Sequence, residues 1–185
     1  MNNKNINNIK YIENEFVIKN AIDLSVLGVC FSSKPLIIGG LAMEYYGIRK
    51  KGNDVDFIVT NDDYEVLAEK YPNNRVDRWG DLYVSVDNLE LLRSIYRLDY
   101  DFYSVEAIEY EEYKVISIEK LFFMKMLANS NQPEVEKHVT DFRLMWNYFL
   151  KTFQNSNYVA YAMEHQNQYV NVPNGMIYNG KYSAV

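Results

Sequence analysis

Leu36-Ile37-Ile38-Gly39-Gly40-Leu41-Ala42, followed shortly by Asp54-Val55-Asp56-Phe57-Ile58-Val59, constrains this chain more than any other stretch. A short apolar strand runs into two glycines and opens into a helix, and the next strand carries aspartates at alternate positions. Successive side chains on a strand point to opposite faces, so Asp54 and Asp56 share one face while Val55 and Phe57 point into the core. Two neighbouring carboxylates repel each other unless a cation sits between them. Hard oxygen donors of this kind suit Mg²⁺, which commonly joins one or two carboxylates to substrate phosphates. Gly39 and Gly40 let the backbone approach a ligand closely, and the N-terminus of the helix they open offers N–H groups to a phosphate. These parts together describe a metal-dependent site acting on a nucleoside triphosphate.

The arrangement resembles the nucleotidyltransferase-fold superfamily, in which a Gly-Gly or Gly-Ser turn precedes an Asp-x-Asp strand. It is most similar to the small bacterial nucleotidyltransferases of abortive-infection and toxin–antitoxin systems and to the lincosamide-type antibiotic nucleotidyltransferases. Those families read Gly-Gly, a small residue, a short helix, then an Arg a few residues before Asp-x-Asp. Gly39, Gly40, Ala42, Arg49, Asp54 and Asp56 stand at those places. A second block, from Val115 through Ile118-Glu119-Lys120-Leu121 to Ala128, looks like the strand-turn-helix that follows the catalytic core. The resemblance makes Lys125 the lysine facing the nucleotide, and it spans residues 20–150. The chain departs from the pattern at Lys137-His138-Val139-Thr140-Asp141, where the families carry an Arg, a Lys-Asp pair and a further Asp. Lys50-Lys51-Gly52-Asn53 likewise replaces the Thr or His found between the Arg and the first Asp.

The fold class expected is α+β, a nucleotidyltransferase-type mixed sheet flanked by helices with a helical C-terminal part. At 185 residues one domain is the natural expectation, and 48% hydrophobic and 15% aromatic content argue for a folded globule. A net charge of −6 disfavours a dedicated nucleic-acid binder, while leaving room for a local basic patch at Arg49, Lys50 and Lys51. Cys30 is the single cysteine, so no intramolecular disulfide forms, and its neighbours Val29 and Phe31 suggest a buried, inert thiol. The polar, Asn-rich start is not a targeting segment, and the apolar run from Leu24 to Phe31 is far shorter than the ~20 residues of a membrane helix. A cytoplasmic location follows.

Periodicity predicts a helix over 9–28, a strand at 36–38, a short helix at 41–47, a strand at 54–59 and a helix from the Asn61-Asp62-Asp63 cluster to Lys70. Strands at 75–79 and 82–86 meet at Gly80-Asp81, residues 95–103 alternate as a further strand, and helices fill 117–129 and 134–151. Residues 1–8 read as a flexible leader, 9–154 as the domain, and 155–185, rich in Asn and Tyr, as a C-terminal arm.

A third carboxylate is expected from a neighbouring strand, and Asp99 and Asp101 in Leu98-Asp99-Tyr100-Asp101-Phe102 are the source in view. Periodicity does not separate them; the resemblance favours Asp101. Taken alone, an Asp-x-Asp pair usually faces water, and Gly39-Gly40 upstream is what sharpens it into a metal site. Lys125 falls on the stripe Ile118, Leu121, Phe122, Lys125, Ala128, where it must snorkel out or meet an anion. Arg49 is either a surface charge or a phosphate or acceptor contact. His138 and His165 lack metal-ligand spacing. Tyr45 and Tyr46 are better explained by core packing than by stacking on a base.

The implied reaction joins a nucleoside monophosphate to an acceptor hydroxyl and releases pyrophosphate. Mg²⁺ would be held by Asp54, Asp56 and Asp101, with Asp101 taking the proton, while Gly39, Gly40, Arg49 and Lys125 bind the nucleotide. The acceptor is an RNA or protein if the chain is a toxin or defence component, or a small hydroxylated molecule if it modifies an antibiotic. A third reading is a non-catalytic protein that keeps the fold. A second copy of the chain or a cognate antitoxin completes the partners in view, with no membrane among them.

Overall fold

The computed structural model describes Ile18, residues 22–78 and residues 80–152. The expected leader at 1–8, most of the expected helix over 9–28, the arm at 155–185 and His165 lie outside the described residues. The last part of 9–28 is described: a 3₁₀ turn, Leu24–Leu27, capped by Asp23, whose carboxylate accepts from Ser25 N–H, and closed by Gly28 at φ +54°.

The strands are β1 (Leu36–Ile37), β2 (Val55–Ile58), β3 (Arg75–Arg78), β4 (Asp81–Val86), β5 (Leu89–Leu92), β6 (Ser94–Ile95), β7 (Leu98–Asp99), β8 (Ile108–Glu109) and β9 (Lys114–Val115). Besides the helical residue Ile18, the helices among the described residues are α1 (Gly39–Tyr45), α2 (Asn61–Lys70), α3 (Tyr100–Tyr103), α4 (Ile118–Asn131) and α5 (Glu136–Thr152). Seven strands form one mixed sheet in the order β3-β4-β5-β2-β1-β9-β8, and β6 and β7 form a separate hairpin. β2 runs antiparallel to β1 and parallel to β5, and β1 runs parallel to β9. The expected α+β class, a mixed sheet with helices packed on it and a helical C-terminal part, is what the chain adopts.

The core follows from alternation. On β2, β4 and β5, Val55, Phe57, Val84, Leu89 and Leu91 are buried. The alternate set, Asp56, Glu90, Leu92, Tyr83 and Asp81, stands on the opposite face because strand periodicity is two and the register pairs Asp56 with Glu90 and Tyr83 with Leu92. α2 packs against β4, and α1 against β2. α4 buries Leu121, Phe122, Phe123 and Leu127 and packs along α5, where Phe122 stacks on Phe142 with ring centroids 5.9 Å apart. Among the described residues no helix is long and apolar enough to cross a membrane.

Three expectations are corrected. Residues 95–103 are not one strand: they are the end of β6, a turn at Tyr96-Arg97, β7 and then α3. A strand absent from the sequence reading, β5, lies inside the sheet between β4 and β2. Cys30 is exposed, because in an extended segment Val29 and Phe31 turn toward the core and the residue between them turns out. Tyr45 and Tyr46 do pack: the Tyr45 hydroxyl lies 2.8 Å from that of Tyr110, and the Tyr46 hydroxyl donates to the Ile116 carbonyl.

Candidate active site

The strand-to-helix turn is built around one contact. Gly39 opens α1 at φ +59°, a left-handed conformation that L side chains rarely adopt. A Cβ on Gly39 would also collide with the Asp56 carboxylate, so backbone and space both require glycine there. A Cβ on Gly40 would meet only ordinary neighbours, the nearest 3.5 Å away. The Gly40 N–H bonds to the Asp56 carboxylate, so one amide of the turn orients the aspartate instead of standing open to a phosphate. Replacing Gly39 with Ala should therefore destabilise the fold by roughly 1–3 kcal/mol and displace Asp56, an effect visible in thermal melts, whereas Gly40→Ala should be close to neutral. Equal melts for the two variants would contradict this account of the turn.

Asp56 and Asp54 face a cleft of about 260 Å³ together with Glu90, which β5 places beside Asp56 in the parallel register. Burial pushes the Asp56 carboxyl above the usual carboxylate range, and the neighbouring Asp54 charge pushes the same way against Lys125 and Lys137. Burial likewise raises Glu90, helped by the Asp56 charge. Two desolvated acids side by side, Asp56 raised further by Asp54 and Glu90 by Asp56, are a cluster that a cation would relieve.

Asp101, expected as the third carboxylate, is not brought to this cleft. It is exposed on α3, while Asp99 caps that helix by accepting from Phe102 N–H at 3.1 Å. Glu90, and not Asp101, lines the cleft beside Asp56. Its signal was present in the sequence: Asp87-Asn88 makes a turn after β4, and Leu89-Glu90-Leu91 alternates apolar, acidic, apolar. The remaining expected residues, Gly39, Gly40, Arg49, Asp54, Asp56 and Lys125, all line the one cleft.

The donor set fits Mg²⁺ in kind, being three hard carboxylates lining one cleft, with Asp56 and Glu90 desolvated on one sheet face and Asp54 exposed just before β2. Among the described residues, however, no three His, Cys, Asp or Glu side chains already converge on one ion position. Holding an ion would require the carboxylates to rotate toward one another.

The cations stand on the other wall. Arg49 grips Asp141 of α5 with two hydrogen bonds, Nε to Oδ1 at 2.6 Å and Nη2 to Oδ2 at 2.8 Å, and Lys125 of α4 reaches the same Oδ2 at 2.7 Å. Asp141 is 2% exposed. Burial works to raise its carboxyl, but the Arg49 and Lys125 bonds and charges outweigh it and hold it below the usual range. Lys125 is thus accommodated on the apolar stripe of α4 because α5 supplies a carboxylate. Glu44 secures the same loop from α1, binding Lys50 Nζ at 2.7 Å and Lys51 N–H at 2.9 Å. Arg49 and Lys50 of the basic trio are therefore paired with acids of this chain, with the Lys50 side chain still 88% exposed. Lys137 and His138 complete the wall, with His138 Nε2 2.9 Å from Gln132 Oε1.

At the far end, Asp81 organises the β6–β7 hairpin. Its turn residues Tyr96 and Arg97 both have positive φ, 53° and 62°, where a hairpin of this kind ordinarily uses Asn-Gly. Each non-glycine residue in that region costs about 1–2 kcal/mol. The Asp81 carboxylate offsets the cost by accepting from Ser94 Oγ at 3.0 Å, Tyr96 N–H at 2.7 Å and Arg97 N–H at 3.3 Å. Tyr96, Ile95, Leu92, Tyr83 and Arg78 form this end of the cleft.

No family model matches the chain, and no curated protein does. Among solved structures, an antigenic nucleotidyltransferase-like protein from Paracoccidioides brasiliensis superimposes with a TM-score of 0.39 at 18% sequence identity, over 86% of this chain and 87% of that one. The superposition is too loose to bear on what this chain does.

Proposed function

We propose that this chain is a metal-dependent nucleotidyltransferase that moves a nucleoside monophosphate from a nucleoside triphosphate onto an acceptor hydroxyl. The observation that carries the reading is that Asp54, Asp56 and Glu90 line one cleft with Arg49, Lys125 and Lys137, Asp56 and Glu90 side by side on the sheet face. Mg²⁺ held by those carboxylates would neutralise phosphate charge and make the acceptor hydroxyl easier to deprotonate. The residues of the chain do the rest. Lys137 and the Arg49–Asp141–Lys125 cluster draw the triphosphate to one wall and fix its direction. Glu90, raised by burial and by Asp56, is the carboxylate suited to accept the hydroxyl proton. The acceptor oxygen then bonds to the α-phosphorus, the bond from that phosphorus to the bridging oxygen breaks, and pyrophosphate leaves.

The test is incubation of the protein and Mg²⁺ with each α-labelled nucleoside triphosphate, in the presence of total RNA, protein extract, or a panel of aminoglycosides and lincosamides. Label should pass to one acceptor class. Glu90→Gln should lose about 10²–10⁴-fold in rate, as removal of a proton-accepting group does, while Asp101→Asn should match the wild type. A Glu90→Gln enzyme as active as the wild type would remove the acid cluster from the mechanism.

A further inference from the structure

The cleft is chemically divided. One wall carries Lys125, Lys137 and Arg49, while the far end is aromatic and apolar, with Tyr83, Leu92, Ile95 and Tyr96. At that end the exposed guanidinium of Arg78 lies over the Tyr83 ring, 5.2 Å from its centroid, and donates to the Tyr83 hydroxyl at 3.0 Å. Planar guanidinium and phenol groups over an apolar floor are the surfaces on which flat rings stack. At about 260 Å³ the cleft lies just below the roughly 300–1,000 Å³ of small-molecule sites, so a ring and an anion bound in it belong to one ligand.

The hairpin that supplies Tyr96 is also unusual for its sequence. Two consecutive non-glycine residues in the left-handed region persist only where the surroundings over-determine them, and such strain gathers at ligand sites. Here the surroundings are three hydrogen bonds to one carboxylate, that of Asp81, which itself borders the cleft. A Gly at position 96 would form the same turn without strain. The chain keeps a tyrosine there, partly buried against the core, and a half-buried acid holds its turn.

We propose that the Tyr83–Tyr96 end of the cleft is the subsite for the nucleobase of the triphosphate, with Tyr96 as its stacking surface and Asp81 as the positioning residue that fixes the Tyr96 turn. This rests on the nucleotidyltransferase reading above. It adds which residues meet the base, and it makes the base, not only the phosphates, a source of affinity.

Calorimetric titration of the full chain with ATP, GTP, CTP, UTP and inorganic tripolyphosphate, each with Mg²⁺, tests it. At least one nucleotide should bind the wild type more tightly than tripolyphosphate, which has no ring. Tyr96→Gly should weaken that nucleotide by about tenfold or more, the usual effect of losing one base–aromatic stack, and leave tripolyphosphate unchanged. Glycine relieves the positive φ but also removes a ring packed against the core, so retained tripolyphosphate affinity in the same variant is what shows that the loss is not unfolding. Tyr96→Phe should keep wild-type affinity, and Asp81→Asn should reproduce the nucleotide-selective loss. Nucleotide affinity unchanged in Tyr96→Gly, or lost together with tripolyphosphate affinity, would overturn the subsite while leaving the proposed reaction intact. Unchanged affinity in Asp81→Asn would overturn the positioning role. A wild type that binds none of these ligands would instead overturn the reading beneath it.

Discussion

Asp56→Asn should abolish transfer, by at least about a thousandfold if the carboxylate both holds the ion and lies against the reacting phosphate. The same variant should be as stable as the wild type, or more so, at neutral pH without divalent metal. The sign follows from the raised carboxyl. A carboxyl whose folded value lies above its unfolded one favours folding least when ionised, so its penalty is absent below the ordinary value of 3.8 and fully present above the folded value. Asparagine removes that penalty at neutral pH. Thermal melts in chelator should show an unchanged or higher midpoint, and the difference should vanish as the pH falls through the same range. Loss of activity accompanied by a lower midpoint would mean that Asp56 serves the fold and not the chemistry.

Asp141→Ala should produce the largest loss of stability in this region. It strands the Arg49 guanidinium and the Lys125 ammonium, whose side chains are 22% and 10% exposed. Removing one partner of a buried ion pair typically costs about 3–5 kcal/mol. Lys125→Met should cost less, because Asp141 keeps its two bonds to Arg49 and the methionine retains most of the stem. The Asp141 carboxyl is held below the ordinary value of 3.8, so its contribution is fully present above that value and is lost as the pH falls through the lower folded one. Denaturant melts of wild type and Asp141→Ala should therefore converge in strong acid. A cost under about 1 kcal/mol at neutral pH would place the cluster with exposed surface pairs.

The sequence showed those parts of the site whose causes are local. Gly39-Gly40 and Asp54-x-Asp56 lie within one 18-residue stretch, and alternation alone assigns both aspartates to one face. Lys125 stood out because a charge interrupts an apolar stripe, although its partner Asp141 lies on another helix and only the fold brings them together. Glu90 was harder to read because its role comes from β5 lying parallel to β2, a pairing between strands separated by α2 and the β3–β4 hairpin. The hairpin at Ser94–Asp99 was misread for the opposite reason. Its turn, Tyr96-Arg97, has none of the Gly or Asn that marks a positive-φ turn, and the Asp81 carboxylate that holds it comes from outside the segment. Reading 95–103 as one strand then placed Asp101 on a face it does not have.

The central claim is that the acid face and the cationic wall together bind a nucleoside triphosphate through a divalent ion. Isothermal titration of the wild-type chain with nucleoside triphosphates, in Mg²⁺ and again in chelator, tests it most directly. The account predicts saturable binding of at least one nucleotide in Mg²⁺ and its loss in chelator. Binding of equal strength in both, or no binding in either, would contradict it.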